Sequence, residues 1–67
     1  MKDFKIKTLC KYRRNEGENK YSIEFCQINS TEYAVYTFQG MDVKCCKIGT
    51  DYHDVKLFFK KCVAINM

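Results

Sequence analysis

Two sets of side chains in this sequence could carry chemistry: a crowd of cations near the start and a scatter of thiols. Lys5, Lys7, Lys11, Arg13 and Arg14 fall within residues 5–14, and cations at that density release counterions from nucleic-acid phosphates. Tyr12, Tyr21 and Tyr33 would add surfaces on which bases stack. The same charges would also steer an acidic protein toward the chain, and lysines on a sheet edge discourage edge-to-edge aggregation.

The five cysteines are Cys10, Cys26, Cys45, Cys46 and Cys62, and the single histidine is His53. A zinc site needs thiolates and imidazoles that converge at tetrahedral spacing. There is no C-x-x-C, and the adjacent Cys45 and Cys46 would point to opposite faces of a strand. A site built from one of that pair, His53 and a distant cysteine is the one metal reading left open. Buried thiols with a solvent-facing histidine at a helix start is the reading preferred, so no metal and no cofactor is expected. Catalysis lacks its usual signatures, since there is no nucleophile elbow, no glycine-rich phosphate loop and no pair of carboxylates in an apolar pocket. Gly17, Gly40 and Gly49 all fall at turns, and a core this small encloses no substrate-sized cleft. The expectation is a protein that is not an enzyme.

The elements that must position these groups are bounded by length. A chain of 67 residues makes one domain with a modest core, and chains of that size commonly lean on disulfides, metals or self-association. The hydrophobic share of 46% and the aromatic share of 15% point instead to apolar burial and argue against disorder. The opening residues alternate charged and apolar side chains, unlike a signal peptide, and no segment suits a membrane span. An odd number of cysteines without an export signal favours reduced thiols, used as small apolar fillers, in a cytoplasmic setting. Heavy use of Lys, Asn, Ile, Tyr and Phe without Pro or Trp suggests an AT-rich coding sequence, as in low-GC bacteria, their phages or plasmids. The net charge of +4 is concentrated before residue 15 and again at Lys56, Lys60 and Lys61, with most acids between.

From Phe4 to Arg13 the pattern has period two. Phe4, Ile6, Thr8, Cys10 and Tyr12 would share one face, and Lys5, Lys7, Leu9, Lys11 and Arg13 the other. Asn15 to Asn19 reads as a hairpin loop. A second strand spans Lys20 to Ile28, with Tyr21, Ile23 and Phe25 inward and Ser22 and Glu24 outward. Asn29-Ser30-Thr31-Glu32 is a turn rich in side chains that bond their own backbone. The third strand, Tyr33 to Phe38, is apolar on both faces, which suits a central strand or one whose outer side is covered by something else. After a hairpin at Gln39 to Asp42, the fourth runs from about Val43 to Ile48. Thr50 or Asp51 then caps a helix whose apolar stripe is Val55, Phe58, Phe59, Cys62 and Val63, with Lys60 and Lys61 suited to its C-terminal end. The predicted fold is α+β: a four-stranded antiparallel β-meander with one C-terminal helix packed on one face, ββββα.

The run Tyr21-Ser22-Ile23-Glu24, a later apolar strand, and Ile48-Gly49-Thr50-Asp51 leading into a helix with Val55 and Phe59 resemble a family of small uncharacterised α+β proteins of low-GC Gram-positive bacteria, over residues 8–65. That resemblance implies the meander with a terminal helix and transfers no active residue. In size and lack of catalytic motifs the chain also resembles the stoichiometric inhibitors that phages and mobile elements carry against host nucleases and defence systems.

One helix covers one face of a sheet, so the other face is expected to meet a partner. The expected function is stoichiometric binding to another protein, including one in a nucleic-acid-bound complex, as an anti-CRISPR-like inhibitor of bacterial defence would. Lys5, Lys7, Lys11, Arg13 and Arg14 would steer, and Tyr33, Tyr36 and Phe38 would anchor. The alternative is a small nucleic-acid-binding regulator using the basic first strand, and a homodimer through the open face or strand edges is a further version.

Overall fold

The computed structural model describes residues 5–17 and 19–66. Strands β1 (Lys7–Glu16), β2 (Asn19–Gln27), β3 (Tyr33–Gln39) and β4 (Asp42–Gly49) form one antiparallel sheet in the order β1-β2-β3-β4, and helix α1 (Tyr52–Asn66) follows. This is the ββββα meander that the alternating pattern predicts. Phe4, read as the first residue of the opening strand, lies outside the described residues.

Each junction has a local cause. Glu16 pairs with Asn19 and Asn15 with Lys20, so the ladder takes in residues that the sequence pattern assigns to a loop running from Asn15 to Asn19. Gly17 sits there at φ 59°, a left-handed conformation that glycine adopts without steric penalty. The last hairpin pairs Gln39 with Asp42, and its Gly40 is at φ 59° while Met41 stays at negative φ. Glycine first and a negative φ second is the type II′ turn, whose twist matches the strands it joins. Between β2 and β3, the Asn29 side-chain oxygen accepts the backbone N–H of Thr31 at 2.9 Å and of Glu32 at 2.8 Å.

Asp51 caps α1 by accepting the N–H of His53 at 2.9 Å and of Asp54 at 3.3 Å. The helix buries Val55 and Phe59, against Ile23 and Phe25 of β2 and Val35 of β3, and Phe58, Cys62 and Val63 pack around that centre. Phe25 is the hub: its ring lies 5.3 Å from Tyr52, 6.0 Å from Tyr33 and 6.2 Å from Phe59. Aromatic pairs at such separations add to the burial of their area. The backbone of Gly49 lets the helix approach, since a Cβ there would stand 3.1 Å from Val55 Cγ2.

Two readings are corrected at the ends of the fold. The helix continues to Asn66, and no basic residue occupies its last turn, so Lys60 and Lys61 do not complement its C-terminus. Arg14 does so from β1: its Nη1 donates to the Asn66 carbonyl at 2.8 Å, beside the Tyr12 hydroxyl, which donates to the same oxygen at 3.2 Å. A cation there satisfies an orphan carbonyl and opposes the negative end of the dipole.

The second correction concerns the faces of β1. Its register shifts between Thr8 and Cys10, so that Thr8 opposes Cys26 and Cys10 opposes Phe25. Leu9 is the extra residue of a β-bulge, and the period-two assignment breaks there. Cys10, Tyr12 and Arg14 face the helix, whereas Thr8 joins Lys11 and Arg13 on the other side. A matching irregularity lies between Val35 and Tyr36, opposite Cys45 and Lys47, and leaves Cys46 as the extra residue of β4. Among the described residues no helix is long and apolar enough to cross a membrane.

Candidate functional site

The strand register arranges the face away from the helix in three rows. One row crosses the sheet as Arg13, Ser22, Phe38 and Val43; the next as Lys11, Glu24, Tyr36 and Cys45; the third as Thr8, Cys26, Ala34 and Ile48. On β3 and β4 these rows are mostly apolar. Val43 is 61% exposed and Ile48 54%, while Tyr36 and Phe38 are half-buried, with ring centroids 6.4 Å apart. In the third row Cys26 and Ala34 are buried although no helix lies over them. Both bulges fall near that end, where they increase the twist of the sheet.

The cations that look continuous in the sequence are separated by the fold. Lys5 precedes β1 and is exposed, and Lys7, opposite Gln27, lies on the helix side of the sheet. Lys11 pairs with Glu24 at 3.4 Å, and Glu24 also accepts the Thr8 hydroxyl at 2.8 Å. Arg14 is engaged with the end of α1. Arg13 is exposed on the open face, next to Lys20 of β2. Of the three aromatic candidates, Tyr36 and Phe38 belong to the open face, and Tyr33 is turned to the helix, edge-on to Tyr52 at 5.4 Å.

The thiols divide by environment. All five are free. Burial pushes the Cys26 thiol above its ordinary value, with the Glu24 charge adding to the shift and the Thr8 hydrogen bond and Lys11 opposing it. Burial likewise raises Cys62, with Cys46 adding to it, and raises the Tyr36 hydroxyl, with Cys45 and Cys26 adding. Cys45 and Cys46 are exposed, so the reading of every cysteine as a buried filler fails for this pair. Among the described residues no three metal-ligating groups come together.

Residues that sequence reasoning did not single out complete the face. Lys20 and Ser22 carry the same outward alternation as Glu24, which is a legible signal. Val43 and Ile48 owe their place to the bulge at Cys46, which no spacing rule announces. Comparison with known proteins finds no matching family model, no matching curated protein and no matching solved structure.

Proposed function

We propose that this chain is a non-enzymatic binding protein that associates stoichiometrically with another protein through the open face of its sheet. The observation that carries the reading is the apolar patch of Tyr36, Phe38, Val43 and Ile48, left uncovered by α1 and edged by cations. Aromatic rings inside a polar rim are the composition of protein interfaces. Exposed apolar surface of this kind is what a monomer otherwise avoids. A phage or mobile-element inhibitor of a bacterial defence nuclease complex, acting in the cytoplasm, is the biological role we attach to it, on the likeness in size and motif content. Lys5, Lys7, Lys11, Arg13 and Arg14 supply net positive charge that speeds encounter with an acidic partner.

The test is affinity capture from a bacterial lysate, followed by calorimetry with the purified captured protein. Val43→Asp combined with Ile48→Asp places charge in the exposed patch and should weaken association at least about tenfold, the loss typical of a disrupted interface centre. Circular dichroism confirms that the variant folds. Undiminished affinity would reject the open face. The nucleic-acid reading predicts something different: binding to generic DNA or RNA that falls steeply with salt, and falls further when Lys5, Lys7 and Lys11 become Glu.

A further inference from the structure

At the turn end of the open face lies an open notch of about 380 Å³, lined by Arg13, Lys20, Tyr21, Ser22, Phe38 and Gly40. Its origin is steric: Ser22 is small, Gly40 has no side chain, and larger residues surround them. The register holds its walls in place, because Arg13 opposes Ser22 and Ser22 opposes Phe38. The Gly40 N–H donates to the Lys20 carbonyl at 3.2 Å, which fixes the turn beside the lysine. Neither Arg13 nor Lys20 makes an ion pair among the described residues, in contrast to Lys11 and Lys47. Two uncompensated cations, a hydroxyl and an aromatic wall therefore converge on one small concavity.

Resting on the reading of this face as a protein-binding surface, we infer that the notch receives a single carboxylate from an acidic side chain of the partner, with an apolar neighbour of that side chain lying against Phe38. The guanidinium and ammonium groups donate to the carboxylate oxygens, and charge-assisted bonds of this sort are stronger than neutral ones. A carboxylate fits better than a phosphate chain. A backbone that continued from the notch along the sheet would meet Glu24 in the next row, already neutralising Lys11, with the half-buried Tyr36 ring beside it. An acidic residue flanked by apolar ones matches the sequence of surfaces the face presents.

The test is a ¹H–¹⁵N correlation titration of the full chain with three probes: a capped Leu-Asp-Leu tripeptide, the same tripeptide with asparagine in place of aspartate, and an oligothymidine. Saturable shifts at Arg13, Lys20, Ser22 and Gly40 with the aspartate peptide, absent with the asparagine peptide, support the notch. In Arg13→Gln combined with Lys20→Gln the affinity for the aspartate peptide should fall about three- to tenfold, the effect of one or two partly exposed ion pairs. The comparison of the two peptides on the wild-type chain stands whether or not that variant folds. Equal responses to both peptides, no response to either, or shifts confined to oligothymidine would overturn the assignment. If the notch stays silent while Val43→Asp with Ile48→Asp still weakens partner binding at least about tenfold, the notch is rejected and the face retained. If both fail, both readings fall.

Discussion

Asn29 holds the β2–β3 connection through a single oxygen. Its Oδ1 accepts from Thr31 N, Glu32 N and the Thr31 hydroxyl, while its Nδ2 donates to Glu32 Oε1 at 2.7 Å. Asn29→Ala leaves those backbone donors without their partner, and should lower unfolding stability by about 1–2 kcal/mol in urea denaturation. Asn29→Asp keeps the acceptor but sets a carboxylate against Glu32, so its loss should be intermediate. A loss in the alanine variant below about 0.3 kcal/mol would show that water replaces the side chain without penalty. The turn-forming character of this residue is legible in the sequence, because asparagine bonds its own backbone wherever it stands. The role of Arg14 was not. Its carbonyl partner, Asn66, is distant in sequence and meets it only when the helix folds back.

At the scale of the element, β1 is two half-strands joined at a bulge. Because Thr8 keeps its pairing with Cys26 and Cys10 with Phe25 on either side of Leu9, deleting Leu9 restores an unbroken ladder without turning any paired residue over. Leu9 is 40% exposed, so little packing goes with it. The variant should retain a cooperative thermal transition. Deleting Arg13 instead turns Cys10 and Tyr12 away from the helix and sets Lys11 against Ile23, even where the bulge takes up the lost residue, and should abolish the transition. Two intact transitions would mean that β1 is not held in register by its apolar face. Alternation alone reports the half from Cys10 onward correctly and the half before it inverted, since a bulge leaves no compositional mark. The helix was the most legible element. A cap at Thr50 or Asp51, which the structure assigns to Asp51, and a stripe containing Val55 and Phe59 are consequences of local chemistry and a period of 3.6.

For the whole molecule, stability should depend on alkaline pH. Burial raises Cys26 and Cys62 above their ordinary 9.0 and Tyr36 above 10.0. A group whose folded value is raised favours the folded state while protonated. Its contribution is complete below the ordinary value and is lost as pH rises through the raised one. The urea midpoint should therefore hold level up to about pH 8 and decline as pH rises through 9.0 and beyond. Replacing Cys26 and Cys62 with alanine should flatten the onset of that decline and leave the part due to Tyr36. An equally steep onset in the double variant would remove the thiols as its cause. A small core makes the effect readable, because a chain of this length has little stability in reserve.

Strand number, strand order and the helix that follows were written in local patterns: side chains alternate in and out of a sheet, recur every third or fourth position on a helix, and break at residues that bond or bend their own backbone. Those patterns act over a few residues, so they survive in any reading of the chain. Which cations stand together, which side of β3 meets the helix, and where small residues leave a notch between Arg13, Lys20 and Phe38 were decided in three dimensions. They depend on the register between strands distant in sequence, on two bulges that shift it, and on the packing of Val55 and Phe59 against one face. No local property of the chain encodes that pairing by itself.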